Sequence, residues 1–230
     1  MATIEGRRYL WTMRKLLVEF IGTSFITTAV IGSALMASIW TKDGAIWLIV
    51  NMISTVSAIY ISVVLFANIS GANFNPVVTL VLALQRQISP RGAISYILSQ
   101  LIGATFGAIL AQTLFDRPML IISSIDRSGS NIFVAEVVSS FGLVLIAIAS
   151  WQKFKTRNRA SLLGLWVASA YFFTSSTAFA NPAITIGRML TDSLAGISPA
   201  SLITFIPAQF VGGLFALGLN RFLERTADAN

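Results

Sequence analysis

The pattern of apolar and polar positions divides the chain into six long apolar segments and two short ones. Each long segment approaches the roughly 20 residues that a helix needs to cross a bilayer. The long segments lie at about 16–39, 45–67, 92–115, 132–151, 160–178 and 201–223. The short segments, 75–86 and 182–191, both begin with Asn-Pro, and proline at the first turn of a helix loses no hydrogen bond. The pattern therefore predicts an all-α membrane protein with six transmembrane helices and two half-spanning re-entrant helices.

Composition supports a membrane protein and argues against an enzyme. Hydrophobic residues make up 55% of the 230 residues and charged residues only 11%, with a mean hydropathy of +0.78. A soluble domain carries about 25% charged residues. The sequence has no histidine and no cysteine, which removes imidazole bases, thiol nucleophiles, disulfides and His/Cys metal sites. We therefore predict no catalytic residues, no metal site and no cofactor.

The basic residues predict the orientation in the membrane. With the N-terminus inside, twelve of the sixteen lysines and arginines fall on the inside and four on the outside. The twelve are Arg7, Arg8, Arg14, Lys15, Arg86, Arg91, Lys153, Lys155, Arg157, Arg159, Arg221 and Arg225, and the four are Lys42, Arg117, Arg127 and Arg188. This positive-inside bias predicts that both termini are cytoplasmic. Because the basic clusters are short and separated by apolar segments, the net charge of +7 does not indicate nucleic-acid binding.

The single domain predicted for residues 1–230 contains an internal repeat, at about 10–115 and 130–225. A glutamate in the first span of each half (Glu19 and Glu136), an Asn-Pro pair, and a glutamine in the third span (Gln100 and Gln209) recur in the same order. Three spans per half is an odd number, so the second half is predicted to be inverted. Inverted repeats with interrupted helices indicate a solute path at the bilayer midplane.

The two Asn-Pro pairs are predicted to meet at the centre of the membrane. A half-length helix that enters from one face must begin near the midplane, and its irregular loop must be buried in protein or line water. The N-termini of both helices would bring partial positive charge to one point, where Asn75 and Asn181 cap them. Two amide donors between two positive dipole ends would orient a neutral hydroxyl and repel cations, protons included.

These residues resemble the aquaporin (major intrinsic protein) family. Asn75-Pro76-Val77 within Ser70–Thr79 resembles the first Asn-Pro-Ala box of that family, and Asn181-Pro182-Ala183 resembles the second. The resemblance covers nearly the whole chain and implies the aquaporin fold, with a homotetramer in which each subunit has its own pore.

The sequence departs from the family at three positions. Val77 replaces alanine in the first box, and Asn73 stands where a histidine is usual. Ile184 occupies the position of the arginine that narrows the pore of water-specific members.

Counting from the boxes without gaps places four residues at the selectivity constriction: Thr55, Ser169, Ala178 and Ile184. All four are small or uncharged, so the resemblance implies a wider and less polar ring that passes solutes larger than water. The segments 181–188 and 191–197 also resemble a bacterial branch associated with arsenic-resistance operons, which implies passage of arsenite and neutral polyols.

Three charged residues within the apolar regions allow two interpretations each. Arg188 would either place a positive charge in the outer vestibule or form an ion pair with Asp192, four residues on, which is the interpretation we favour. Glu19 and Glu136 would either couple solute movement to protons or accept backbone N–H groups of the re-entrant loops. Their symmetric placement, together with Gln100 and Gln209, favours the second interpretation.

The sequence thus predicts a passive channel for small uncharged solutes, such as metalloid hydroxides and glycerol-like polyols, that also passes water. It is expected in the lipid of a bacterial inner membrane. A water-selective aquaporin and a proton-coupled secondary transporter are the alternatives.

Overall fold

A computed structural model describes residues 4–150 and 154–227, and this part of the chain contains eight α-helices and no strand. The helices are α1 (Ile4–Trp40), α2 (Gly44–Ser70), α3 (Pro76–Leu84), α4 (Pro90–Leu114), α5 (Ser130–Ser150), α6 (Thr156–Phe173), α7 (Pro182–Arg188) and α8 (Leu202–Ala227). A 3₁₀ turn at Pro199–Ser201 precedes α8. Six long helices and two short ones confirm the predicted all-α architecture.

Five of the long helices are long and apolar enough to cross a membrane. They are α1 from Thr12 onward, α2, α4, α5, and α8 with its preceding turn. The remaining long helix, α6, has 18 residues and begins Thr-Arg-Asn-Arg, so its first turn is polar. At 1.5 Å per residue it is about 27 Å long, close to the thickness of the hydrocarbon core.

The predicted fifth span, 160–178, ends too late. Helix α6 stops at Phe173, where the side chain of Thr174 turns back to donate to the carbonyl of Ala170. The backbone then has positive φ at Thr177 and Ala178, which a continuing helix does not allow. Apolar residues 174–178 belong to the loop that leads to α7, and hydropathy alone does not separate a buried loop from a helix.

Some predicted features lie outside the described residues. These are residue 151 at the end of the predicted fourth span, Lys153 of the predicted cytoplasmic loop, and the terminal residues 1–3 and 228–230 of the predicted domain. The side chains of Arg7 and Arg8 also lie outside the described set.

Within each half, the first and third long helices approach each other closely at a glycine. A Cβ added at Gly103 of α4 would stand 2.5 Å from the carbonyl oxygen of Phe20 in α1, and one added at Gly212 of α8 would collide with the carbonyl oxygen of Val137 in α5. Glycine is therefore required at both positions for α1 to pack on α4 and α5 on α8. These two pairs hold the loops that enter the centre of the molecule.

The loop between the halves, residues 115–129, lies against the segment between α7 and α8. The backbone N–H of Ser123 donates to the carbonyl of Met189 at 2.9 Å, and that of Ser198 donates to the carbonyl of Ile125 at 2.7 Å. The connection between the two halves thus covers the end of the molecule at which α7 terminates.

Candidate functional site: a channel between two half-helices

A cavity lies between the two re-entrant loops and the long helices α1, α2, α5 and α6. Its wall is mostly apolar, with polar side chains at three levels. Asn75 and Asn181 stand at the middle, Arg159 at the end near α3, and Arg188 at the end where α7 terminates. The described residues that line it include no acidic side chain.

The two short helices begin side by side at the middle of this cavity. Asn75 caps α3 by accepting from the backbone N–H of Val77 at 2.9 Å. Asn181 caps α7 by accepting from the N–H groups of Ala183 at 3.0 Å and Ile184 at 3.3 Å. The sequence places a proline directly after each cap, where its missing N–H costs no hydrogen bond.

The amide groups of the two caps also bind across the repeat. Asn75 Nδ2 donates to the carbonyl of Ala180 at 2.8 Å, and Asn181 Nδ2 donates to the carbonyl of Phe74 at 2.7 Å. A carboxamide carries two N–H donors, so each asparagine has a second one beside the cavity. The remaining predicted pore-centre residues lie behind this wall and do not line the cavity: Pro76, Val77, Pro182 and Ala183.

The first re-entrant loop is held by a buried carboxylate. Glu19 accepts from the backbone N–H of Asn73 at 3.1 Å and of Phe74 at 2.8 Å, and from the hydroxyl of Ser70 at 2.6 Å. Gln100 donates to Glu19 at 2.8 Å from the neighbouring helix. The carboxylate thus satisfies backbone donors that no regular structure would satisfy.

The second loop has the same arrangement. Glu136 accepts from the backbone N–H groups of Phe179 and Ala180, both at 2.9 Å, and from Gln209 Nε2 at 2.7 Å. Neither glutamate lines the cavity, and both are fully buried.

Three of the four residues predicted at the constriction line the cavity, and one does not. Thr55, Ala178 and Ile184 are on the wall. Ser169 is exposed on the outer side of α6, so its placement at the constriction is wrong. Counting back from the second box assumed a gap-free alignment, and an error of two residues turns a helical side chain by about 200°.

Tyr171 is the residue that α6 brings to the wall in this region. It is buried, lines the cavity, and its hydroxyl donates to Thr55 Oγ1 at 3.0 Å. A phenol therefore lines the cavity beside Thr55, whereas the sequence interpretation placed the small hydroxyl of Ser169 on this wall.

The predicted ion pair of Arg188 with Asp192 is also wrong. Arg188 is only 2% exposed and lines the cavity, with Nε donating to the carbonyl of Ala195 at 2.5 Å. Asp192 is exposed and accepts instead from the backbone N–H and hydroxyl of Ser124, at 2.8 and 3.0 Å. The spacing of four residues does not bring the pair together, because α7 ends at Arg188 and Asp192 lies beyond the helix.

Sequence reasoning missed Arg159, which it assigned to a cytoplasmic loop. Arg159 lies in α6, is buried, lines the cavity, and donates from Nη2 to the carbonyl of Gly71 at 2.7 Å. A four-residue spacing in the sequence marks this face of α6. Its members are Arg159, Leu163, Val167 and Tyr171, all of which line the cavity. Residues four apart share a helix face, so this stripe would have identified both Arg159 and Tyr171 and excluded Ser169.

Comparison with known proteins decides the family. The family model of the major intrinsic proteins matches residues 7–179. The chain belongs to the major intrinsic protein family. Together with the five apolar helices of spanning length among the described residues, this membership makes it an integral membrane channel.

Relatives extend the match beyond residue 179. Aquaglyceroporin AqpS of Rhizobium meliloti (strain 1021) is 38% identical over 214 residues, which cover 93% of this chain and 91% of that protein. Glycerol uptake facilitator protein-like 6 of Lactiplantibacillus plantarum is 30% identical over 219 residues, which cover 89% of this chain and 95% of that protein. The X-ray structure of the aquaglyceroporin from Plasmodium falciparum has the same fold, with a TM-score of 0.75 at 20% identity over 90% of this chain and 94% of that one.

Proposed function

We propose that this major intrinsic protein is a passive channel for small uncharged solutes, with polyols such as glycerol first and water as a co-permeant. The observation that carries the proposal is the pair of asparagines on the wall of one continuous cavity, at the point where two half-helices begin. Amide donors and two positive helix ends favour neutral oxygen-bearing solutes over cations.

The names of two relatives support polyols. One is called an aquaglyceroporin and another a glycerol uptake facilitator-like protein. The cavity wall combines apolar side chains with a few hydroxyl and amide groups, which suits a solute with a hydrocarbon face and several hydroxyls. Thr55, Tyr171, Ala178 and Ile184 are the residues that we propose as the wall of the constriction.

Metalloid hydroxides are the second proposed class of solute. Arsenite is an uncharged trihydroxide at neutral pH, so it presents hydroxyls much as a polyol does. Ile184 occupies the position at which water-specific members have an arginine. The smaller, uncharged side chain leaves more space and less positive charge at that position.

A water-selective channel is the competing function, and one observation favours it. Tyr171 and Arg188 stand on the wall near Thr55 and Ile184, so the cavity holds a phenol and a guanidinium where small groups were predicted. A proton-coupled transporter has weaker support. Both intramembrane glutamates are absent from the wall and accept loop N–H groups.

We also propose an orientation, a location and an assembly. Removing the buried Arg159 and Arg188 from the loop count leaves eleven basic residues (twelve minus one) inside and three (four minus one) outside. This bias supports cytoplasmic termini, with the Arg188 end of the cavity facing outward. A bacterial relative supports the inner membrane, and the family resemblance supports a homotetramer with one pore per subunit.

Stopped-flow swelling of vesicles that contain the purified protein tests the solute class. Water, glycerol and arsenite gradients are applied to the same preparation, with protein-free vesicles as the control. We expect all three fluxes to exceed the control, and water flux without glycerol flux would replace the proposal by a water-selective channel.

A further inference from the structure

Two arginines from different parts of the chain bind three successive carbonyl groups between α7 and α8. Arg127 donates from Nη2 to Leu194 and from Nε to Gly196, both at 2.7 Å. Arg188 donates from Nε to the carbonyl of Ala195, between those two. Arg127 comes from the loop that joins the two halves, whereas Arg188 is the last residue of α7.

The same two arginines contact one aromatic ring. Arg188 Cζ lies 3.3 Å from the centroid of the Phe179 ring, and Arg127 Cζ lies 5.3 Å from it. Phe179 in turn packs edge-on against Phe205, with ring centroids 4.7 Å apart. Cation–π attraction and the hydrogen bonds to the three successive carbonyl groups therefore hold both guanidinium groups in one arrangement.

The loop that carries Arg127 is itself fixed. The backbone N–H of Arg127 donates to Ser201 Oγ at 2.8 Å, and that hydroxyl donates to Asp126 at 2.9 Å. With the bonds at Ser123 and Ser198, the loop is tied to the α7–α8 segment at several points. Arg127 does not line the cavity, so it acts on the channel only through its neighbours.

Arg188 keeps donors available to the cavity. A guanidinium has five N–H donors, and only the one at Nε has a protein acceptor among residues 4–150 and 154–227. Its charge is close to Arg127 on one side and to Glu136 behind the wall, and Glu136 is already bonded to the loop backbone. The guanidinium therefore presents positive charge and free donors to a solute at this level.

We infer that Arg188 determines the selectivity of this end of the channel, in place of the arginine missing at position 184, and that Arg127 is its positioning residue. The inference rests on the proposed function, because it assigns a residue to the constriction of that channel. The guanidinium reaches the wall from one helical turn beyond Ile184, which leaves the apolar side chain of Ile184 facing the same space. The constriction therefore keeps a positive charge, from Arg188, and gains an apolar side, from Ile184. This combination repels cations and accepts polyols through their oxygens.

The first test removes the charge and keeps a donor. Arg188→Gln is compared with Arg117→Gln, which removes one positive charge from an exposed position in the loop between the halves. Methylammonium conductance and glycerol flux are measured on both variants in vesicles. We expect methylammonium conductance to rise about tenfold or more in Arg188→Gln, because a charge acts strongly in a poorly hydrated pore. Arg117→Gln should match the wild type.

Arg188→Lys keeps the charge and is expected to stay closed to methylammonium, which also serves if Arg188→Gln does not fold. An open Arg188→Lys variant, or a folded Arg188→Gln variant with wild-type conductance, overturns the inference. The conductance does not depend on glycerol transport. If the wild type passes no glycerol but Arg188→Gln conducts methylammonium, the proposed solute class fails and the role of Arg188 holds.

The second test separates positioning from general stability. Arg127→Leu should raise methylammonium conductance less than Arg188→Gln does, and the double variant should conduct no more than Arg188→Gln alone. Residues that act through one another show such non-additive effects. Additive increases in the double variant would show that Arg127 does not work through Arg188. A conservative Arg127→Lys, which cannot bind two carbonyls in the same fork, should restore the barrier only in part.

Discussion

The middle of the channel and its Arg188 end are built in different ways. At the middle, each contact occurs twice: a buried glutamate binds each loop, a glutamine links that glutamate to a threonine of the half-helix, and an asparagine crosses to the other loop. Gln100 donates to Thr79 at 2.9 Å and Gln209 donates to Thr185 at 3.0 Å. The internal repeat thus produces the centre of the channel.

The two ends do not repeat each other. One end has Arg159, from α6, bonded to the carbonyl of Gly71. The other has Arg188, from α7, held by the Phe179 ring and by the carbonyl of Ala195 in the segment between α7 and α8. We propose on this basis that the symmetric centre serves passage and charge exclusion, whereas the ends, which differ, set which solutes enter.

The largest loss of stability is expected from substitutions of the two buried glutamates, which also test whether the centre is symmetric. Glu19→Gln and Glu136→Gln each replace a carboxylate that accepts several hydrogen bonds by an amide. The NH₂ group of that amide would face N–H groups of the loop, with which it cannot form a hydrogen bond. Hydrogen bonds to charged groups contribute about 1.5–3 kcal/mol each, so we expect a loss of about 3 kcal/mol or more in either variant. Thermal unfolding in detergent measures it.

Similar losses in the two variants would support a symmetric structural role. A variant that folds like the wild type but changes a proton-driven flux would instead indicate a coupling residue and a transporter.

The second prediction concerns the two asparagines. Asn75→Asp places a negative charge where the two half-helices begin, which should attract cations and open the pore to them. We expect ion conductance well above background, and Asn181→Asp should behave alike because it occupies the equivalent position. Planar-bilayer recording measures it. If folded Asn75→Asp shows only background conductance, the two helix ends do not form the charge barrier.

Much of the centre could be predicted from the sequence, because the repeat and the helix-start pattern are local. Asn75 and Asn181 each precede proline, and Glu19 and Glu136 recur at matching positions, so a pattern of residues was sufficient. Fixed counting failed for Ser169, since the length of the turn after α6 is not visible in the sequence. The prediction for Arg188 failed for another reason: its partners are one loop carbonyl and the Phe179 ring, and no spacing rule relates them to α7.

The third prediction concerns the wall of the constriction. Ile184→Arg adds a second guanidinium one turn from Arg188 and narrows the cavity. We expect glycerol and arsenite flux to fall about tenfold, with a much smaller fall for water, which exchanges hydrogen bonds with guanidinium directly. Thr55→Phe should deepen the loss by filling the facing wall and removing the acceptor of Tyr171. Stopped-flow swelling with each solute measures the ratio, and unchanged glycerol flux in Ile184→Arg would remove Ile184 from the constriction.

The smallest effect is expected at the loop between the halves. The pKa of Asp192 lies below its usual value because the backbone N–H of Ser124, and then its hydroxyl, donate to the carboxylate. The pKa of Asp126 is lowered in the same direction, mainly by the hydroxyl of Ser128 and then that of Ser201. A lowered pKa gives stability that is present above the ordinary value near 4 and is lost as the pH falls through the lowered one.

Asp192→Asn should remove this contribution at neutral pH. Hydrogen exchange at the amide of Ser124 should be faster in the variant than in the wild type, with no change at the amide of Phe74. Equal exchange at Ser124 in both proteins would show that the carboxylate does not hold the loop.

The central claim is that neutral solutes pass passively between Asn75 and Asn181. The most direct measurement is the initial rate of glycerol entry into sealed vesicles over a wide concentration range, with and without a pH gradient. We predict a rate that rises in proportion to concentration, is unaffected by the pH gradient, and never leads to accumulation above the outside level. Saturation together with uphill accumulation driven by the pH gradient would contradict a channel and require a proton-coupled transporter.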